Sequence, residues 1–159
     1  MNNPYGDCLG DRDPMSVLDT TVDRLAALTA GLSAERLAAP IAPGKWCIHE
    51  IVAHLADLEL VTSARCRWIL FQDNPTLIGY EQDPWIDGWR REREPFPETF
   101  QRLRVLRQAQ LRLLRNCSEA ELERTAEHQD HGPITLGFLR SVVAGHDLHH
   151  LQQLGAAYG

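Results

Sequence analysis

Residues 136–154 read LGFLRSVVAGHDLHHLQQL. Leu136, Leu139, Val143, His146, His150 and Gln153 recur along this stretch at steps of three, four, three, four and three. Such spacing turns one stripe of a helix toward a partner helix. The first half of the stripe is aliphatic; the second half is two imidazoles and an amide. The chemistry changes while the face is kept. Cys47, Ile51, His54, Leu58 and Val61 repeat the device at steps of four, three, four and three, with His54 directed inward among aliphatic neighbours.

Outward from these two stripes, the periodicity predicts four long helices. The first spans about 14–30, with Pro14 in its first turn, Leu18, Val22, Leu25 and Leu32 inside, and Gly31 as the stop. Ser33 to Arg36 reads as a short capped turn before Pro40 and Pro43 break the chain. The second helix spans about 48–72 without Gly or Pro. After Asp73-Asn74-Pro75, a connection rich in Pro, Gly and Trp reaches about Pro95; a structureless stretch of roughly twenty residues is uncommon and often functional. The third helix covers about 97–116, with Phe96, Phe100, Leu103, Leu106 and Leu113 inward, and a short helical piece follows at 118–123. The fourth spans about 135–154. No run of period two reads as strand. The expected fold class is all-α, a four-helix bundle with a long crossover between helices 2 and 3, as one domain over 1–159 with its core at about 14–156.

Composition narrows the function. The 159 residues suffice for one hydrophobic core, and 43% hydrophobic with 24% charged residues is ordinary for a globular chain. A formal net charge of −6 repels a phosphate backbone, and the arginines between Arg90 and Arg115 are mixed with glutamates, so they read as a solvated helix face. Nucleic acid is not an expected partner. Residues 1–13 lack the basic start and apolar stretch of a signal peptide, and no window approaches the run of about 18 apolar residues that a membrane span needs. A cytoplasmic protein is expected. Cys8, Cys47, Cys66 and Cys117 form no C-x-x-C pair; Cys47 and Cys66 would sit roughly 28 Å apart on one helix, so free thiols are expected.

His146 and His150 lie one turn apart on one face, within reach of a single ion, and His54 adds a third neutral donor from another inward face. Buried imidazoles with separate hydrogen-bond partners would use the same spacing, and spacing alone leaves both readings open. Glu50, Asp57 and Gln153 each lie one helical turn from a candidate ligand, where they could orient an imidazole through its other nitrogen or hold a water. Glu50 and Asp57 read equally well as the polar flank of an amphipathic helix. His49 is directed away from His54, His149 falls outside the stripe, and His128 and His131 read as solvated loop residues. A di-iron site would need two Glu-x-x-His pairs, whereas only Asp147-x-x-His150 is present.

Residues 44–59, GKWCIHEIVAHLADLE, and 145–154, GHDLHHLQQL, resemble the second- and fourth-helix signatures of the DinB/YfiT-like family, with agreement in element order over about 14–156. The resemblance implies a bundle with a long crossover, often a homodimer, holding a metal on three histidines, which fall here on His54, His146 and His150. Characterised members include S-transferases using low-molecular-weight thiols such as bacillithiol or mycothiol, and metal-dependent hydrolases. The expected function is therefore a metal-dependent enzyme acting on a small-molecule substrate, with one divalent ion (zinc or nickel first, iron or manganese also suited to histidine nitrogen) activating a water or a thiol. Glu50 or Asp57 would take the proton. An anionic thiol would need counter-charges, for which Arg65 and Arg140 are candidates, although Arg65 lies about 16 Å along the helix from His54. The connection from Pro75 to Pro95, with Trp85 and Trp89, either covers the mouth of the site or is a loop tied down by two aromatic rings. The alternative is a non-catalytic, dimeric, stress-associated metal-binding bundle.

Overall fold

A computed structural model describes residues 2–92 and 94–158. Met1, Arg93 and Gly159, within the expected span 1–159, lie outside the described residues. The long helices are α2 (Pro14–Thr29), α4 (Ile48–Phe71), α6 (Phe96–Arg115) and α8 (Leu136–Tyr158). Short helices stand between and before them: α1 (Gly6–Leu9), α3 (Ala34–Ala38), α5 (Gln82–Glu92) and α7 (Glu119–Leu122).

The helix starts follow from local capping. Asp13 accepts the amide of Ser16 at 2.9 Å with Pro14 at the first helical position, and Ser118 and Glu121 form a reciprocal capping box for α7. The start of α4 uses the same box with a thiol: Cys47 Sγ accepts the Glu50 amide at 3.4 Å, and Glu50 Oε2 accepts the Cys47 amide at 2.8 Å.

In the bundle α4 packs on α6, α6 on α2, α2 on α8, and α8 closes the ring against α4. Consecutive long helices α2/α4 and α6/α8 therefore face across the bundle, while α4 and α6, joined by the long crossover, lie side by side. The core holds Leu18, Leu25, Ile48, Ile51, Leu55, Ile69, Leu103 and Leu154, all almost fully buried. Each such leucine or isoleucine contributes about 1.5–3 kcal/mol by leaving water.

The crossover is not structureless. It contains strand β1 (Thr76–Leu77) and the eleven residues of α5. β1 pairs in parallel with β2 (Thr125–His128), which pairs antiparallel with β3 (Gly132–Thr135). These strands escape a reading by periodicity because each has at most four residues; in β2, Ala126 and His128 face in while Thr125 and Glu127 face out.

The arginine-rich helix also departs from expectation. Its buried stripe is Thr99, Leu103, Arg107, Gln110, Leu111 and Leu114, while Phe96, Phe100 and Leu113 are only partly covered. The stripe is rotated because two polar residues occupy core positions. Arg107 Nε donates to Glu59 Oε1 on α4 at 2.8 Å, and its Nη1 donates to Asp147 Oδ2 on α8 at 2.6 Å and to the Leu18 carbonyl on α2 at 3.0 Å. Gln110 Nε2 donates to Cys66 Sγ at 2.9 Å. All four cysteines are free, and no helix among the described residues is long and apolar enough to cross a membrane.

Arg107→Leu leaves Glu59 and Asp147 buried without their cation, for an expected loss of about 3–5 kcal/mol. Arg115→Ala, which breaks an exposed pair with Asp19, is expected to cost under about 1 kcal/mol. Urea denaturation of the two variants beside the parent measures the contrast; equal losses would refute the buried network as a stabilising contact.

Candidate metal centre

His54 lies where α4 is enclosed on all sides, and His146 and His150 occupy successive turns of the α8 face that meets it. All three side chains are buried. His54 Nε2 stands 3.0 Å from His146 Nε2, and His146 Nε2 stands 3.2 Å from His150 Nε2. One nitrogen from each residue lies within 4.8 Å of the others. Two nitrogens each about 2.1 Å from one ion, at angles between tetrahedral and octahedral, stand about 3.0–3.4 Å apart. The donor set therefore fits a divalent ion.

The rear nitrogens agree with that reading. Gln153 Oε1 can only accept, so the His150 Nδ1 at 2.9 Å carries the proton and the His150 Nε2 lone pair faces the other two rings. His54 Nδ1 lies 3.5 Å from Tyr80 Oη. His146 Nδ1 is buried with no hydrogen-bond partner among the described residues. Burial and the neighbouring imidazoles hold all three rings neutral: His54 is pushed down to about 3 by desolvation and then His150, His146 to about 2 by desolvation and then His150 and His54, and His150 to about 4 by desolvation and then His149. Neutral imidazole is the form that binds a metal.

Above the triad lies a cavity of about 280 Å³ whose wall includes Tyr5, Lys45, Trp46, Asp83, His149 and Gln153. Tyr5 meets the His146 ring edge-on at 5.0 Å, and Trp46 lies 5.1 Å from the His54 ring. Tyr5 can approach because residue 145 is glycine: a Cβ there would stand 2.7 Å from the Tyr5 carbonyl oxygen.

Glu50 and Asp57 are engaged elsewhere. Glu50 caps α4 and pairs with Arg90 at 2.6 Å, and Asp57 accepts Arg102 Nη1 at 2.6 Å. Among the described residues no hydrogen bond joins either carboxylate to the three imidazoles; Gln153 and Tyr80 lie at the rear nitrogens. Arg65 and Arg140 are not in the cavity wall, where the cation is Lys45: Arg65 donates to the Ile78 carbonyl, and Arg140 lies beside Asp13 and Cys117. From the crossover, Gln82 and Asp83 reach the cavity; Trp85 packs on Tyr80 at 5.0 Å, and Trp89 packs on His49 at 4.6 Å. His49 also meets Thr99 at 3.1 Å, away from the triad as its spacing predicts. His128 is not a solvated loop residue but a buried member of β2.

Sequence reasoning missed Tyr5, Lys45, Tyr80 and His149. His149, outside the stripe, still lines the cavity, where Gln153 Nε2 lies 2.9 Å from its Nε2. One signal pointed to Tyr5: a glycine inside a helix beside a candidate ligand marks a close approach.

A family model described as the DinB superfamily matches residues 18–154. A protein of Oceanobacillus iheyensis named "Putative metal-dependent hydrolase" is 26% identical over 123 residues, 77% of this chain and 71% of its own. One of Geobacillus thermodenitrificans with the same name is 28% identical over 133 residues, 83% of this chain and 75% of its own. The solved structure of YfiT from Bacillus subtilis, described as a "probable metal-dependent hydrolase with an unusual four-helix bundle topology", matches with a TM-score of 0.83 at 21% identity, covering 91% of this chain and 83% of that one. That structural likeness carries the fold.

In the unfolded chain the imidazoles take up protons near pH 6.5, and in the folded, metal-free protein only near pH 4 and below. Between those limits the unfolded state binds more protons. The stabilisation from keeping these rings neutral is therefore full above about pH 6.5 and is lost as pH falls, by up to about 1.4 kcal/mol per pH unit for each ring. Urea unfolding in the presence of a chelator, across pH 7 to 4.5, is expected to show a steeper acid loss in the parent than in His146→Gln. Parallel profiles would contradict it.

Proposed function

The chain belongs to the DinB superfamily, and from that premise we propose that it is a metal-dependent hydrolase of small molecules, with one divalent ion held by His54, His146 and His150. The observation that carries this reading is the convergence of three neutral Nε2 atoms at 3.0 and 3.2 Å spacings beneath an open cavity. An ion on three neutral ligands keeps its full charge and supplies Lewis acidity toward water or a carbonyl or similar oxygen.

The chain's own residues do the rest. Gln153 fixes the tautomer and orientation of His150. His149, with Nε2 accepting the Gln153 amide, presents Nδ1 as a hydrogen-bond donor to a substrate oxygen. Tyr5 and Trp46 present aromatic walls, while Lys45 and Asp83 at the rim select polar substituents. A substrate with an apolar body and a polar or ionised end suits this lining. Glu50 and Asp57, both neutralised by arginines, act through the positions of α4, α5 and α6 rather than on the reacting atoms.

Protein purified without a polyhistidine tag is expected to contain about one equivalent of metal by elemental mass spectrometry, lost in His54→Ala and His146→Ala. Gln153→Leu is expected to weaken metal affinity by about 10–100-fold. Across a panel of esters, amides and lactones, metal-loaded parent should exceed His150→Ala by about 100-fold or more in kcat/KM. A metal-free parent that stays metal-free after incubation with zinc, nickel and manganese would end the reading.

A further inference from the structure

A second cavity, of about 230 Å³, lies between α4, the β2–β3 hairpin, the first half of α8 and the N-terminal residues Asn2 and Pro4. It is separate from the triad. Arg65 is eleven residues beyond His54 on α4, about 16 Å along the axis, and Phe138 is eight residues before His146, about 12 Å. The wall is mainly apolar, formed by Ile134, Phe138, Leu139 and Val142. The other main lining groups are Arg65, His128 and His131.

Arg65 is buried and donates through Nη2 to the Ile78 carbonyl. Among the described residues its other N–H groups have no hydrogen-bond acceptor. Asp130 is the carboxylate that acts on it electrostatically, without an ion pair among the described residues, its Oδ2 standing close to where a Cβ at Gly79 would be. His128, also buried, accepts the Asp130 backbone amide at Nδ1 at 3.2 Å, so its neutral ring carries the proton on Nε2. That N–H too lacks an acceptor among the described residues. Burial, then the Arg65 guanidinium and His131, hold the His128 ring below the usual imidazole range. His131, at the exposed rim, stacks on His128 at 4.7 Å.

Guanidinium N–H groups unpaired among the described residues, beside a fixed N–H donor in one cavity, suit an anionic acceptor, and the guanidinium fork matches a carboxylate. We propose that this cavity binds a small monocarboxylic acid with an apolar body, its carboxylate taken by Arg65 and His128 and its body set against Phe138 and Val142. The volume falls below the range of about 300–1,000 Å³ typical of drug-sized ligands, which favours a single aromatic ring or a short branched chain. The inference does not depend on the metal reading.

The test is calorimetric titration of the full chain with benzoate and with its neutral isostere benzamide, in a chelator so that no ion contributes. Expected are saturable one-site binding of benzoate, benzamide weaker by about tenfold or more, retention in His146→Ala, and loss in Val142→Phe, which fills the cavity. Arg65→Gln is expected to lose about tenfold with its circular dichroism unchanged; if that variant does not fold, Val142→Phe against His146→Ala decides. Three results would overturn the proposal: no saturable binding of benzoate, equal affinity for benzoate and benzamide, or benzoate binding that follows His146 rather than Val142.

Discussion

Arg107 is the side chain on which the arrangement of the bundle depends. From α6 it donates to a carboxylate on α4, a carboxylate on α8 and a backbone carbonyl on α2, so one guanidinium touches each of the other long helices. Apolar contacts between helices tolerate sliding because they are non-directional. Three directional bonds from a planar group do not, and they fix the axial register of all four helices. The group is buried, with its two carboxylates holding its proton well above the usual arginine range. Among the described residues Glu59 Oε2 and Asp147 Oδ1 have no partners, which is a cost that an apolar core would not carry.

That register matters at the neighbouring residue. Asp147 directly follows His146, so the bond that anchors Asp147 to Arg107 also sets the depth at which His146 meets His54. Nε2 separations of 3.0 and 3.2 Å require α4 and α8 to agree along their axes to a fraction of a turn. The rear contacts complete the arrangement: Gln153 restrains His150, Tyr80 stands behind His54, and Tyr5 presses edge-on against His146 through the space left by Gly145. Burial keeps the imidazoles neutral, and neutrality makes their lone pairs available.

The same two helices serve both cavities. α8 begins aliphatic and lines the second cavity with Phe138, Leu139 and Val142, then turns to imidazole at His146. α4 carries His54 near its start and Arg65 in its second half. The N-terminal segment spans the two, with Asn2 and Pro4 at one cavity and Tyr5 at the other. The chain thus combines a cluster of imidazole donors at one cavity with a guanidinium at a second cavity further along the same two helices.

The sequence by itself determined the bundle, the helix limits to within a few residues and the three converging histidines. Those features are encoded locally: caps at Asp13, Ser33 and Ser118, the absence of Gly and Pro through α4, and two stripes with unbroken three–four spacing. Polar residues in the core were illegible, because a hydrophobicity pattern assigns Arg107 and Gln110 to solvent. The two-to-four-residue strands were too short to show a period. The carboxylates one turn from the ligands looked suited to catalysis, yet whether an acid meets an imidazole or an arginine depends on which helix lies opposite. Arg90 and Arg102, forty and forty-five residues away, claim Glu50 and Asp57. Only the tertiary structure decided those pairings, since they join side chains with no local spacing to relate them.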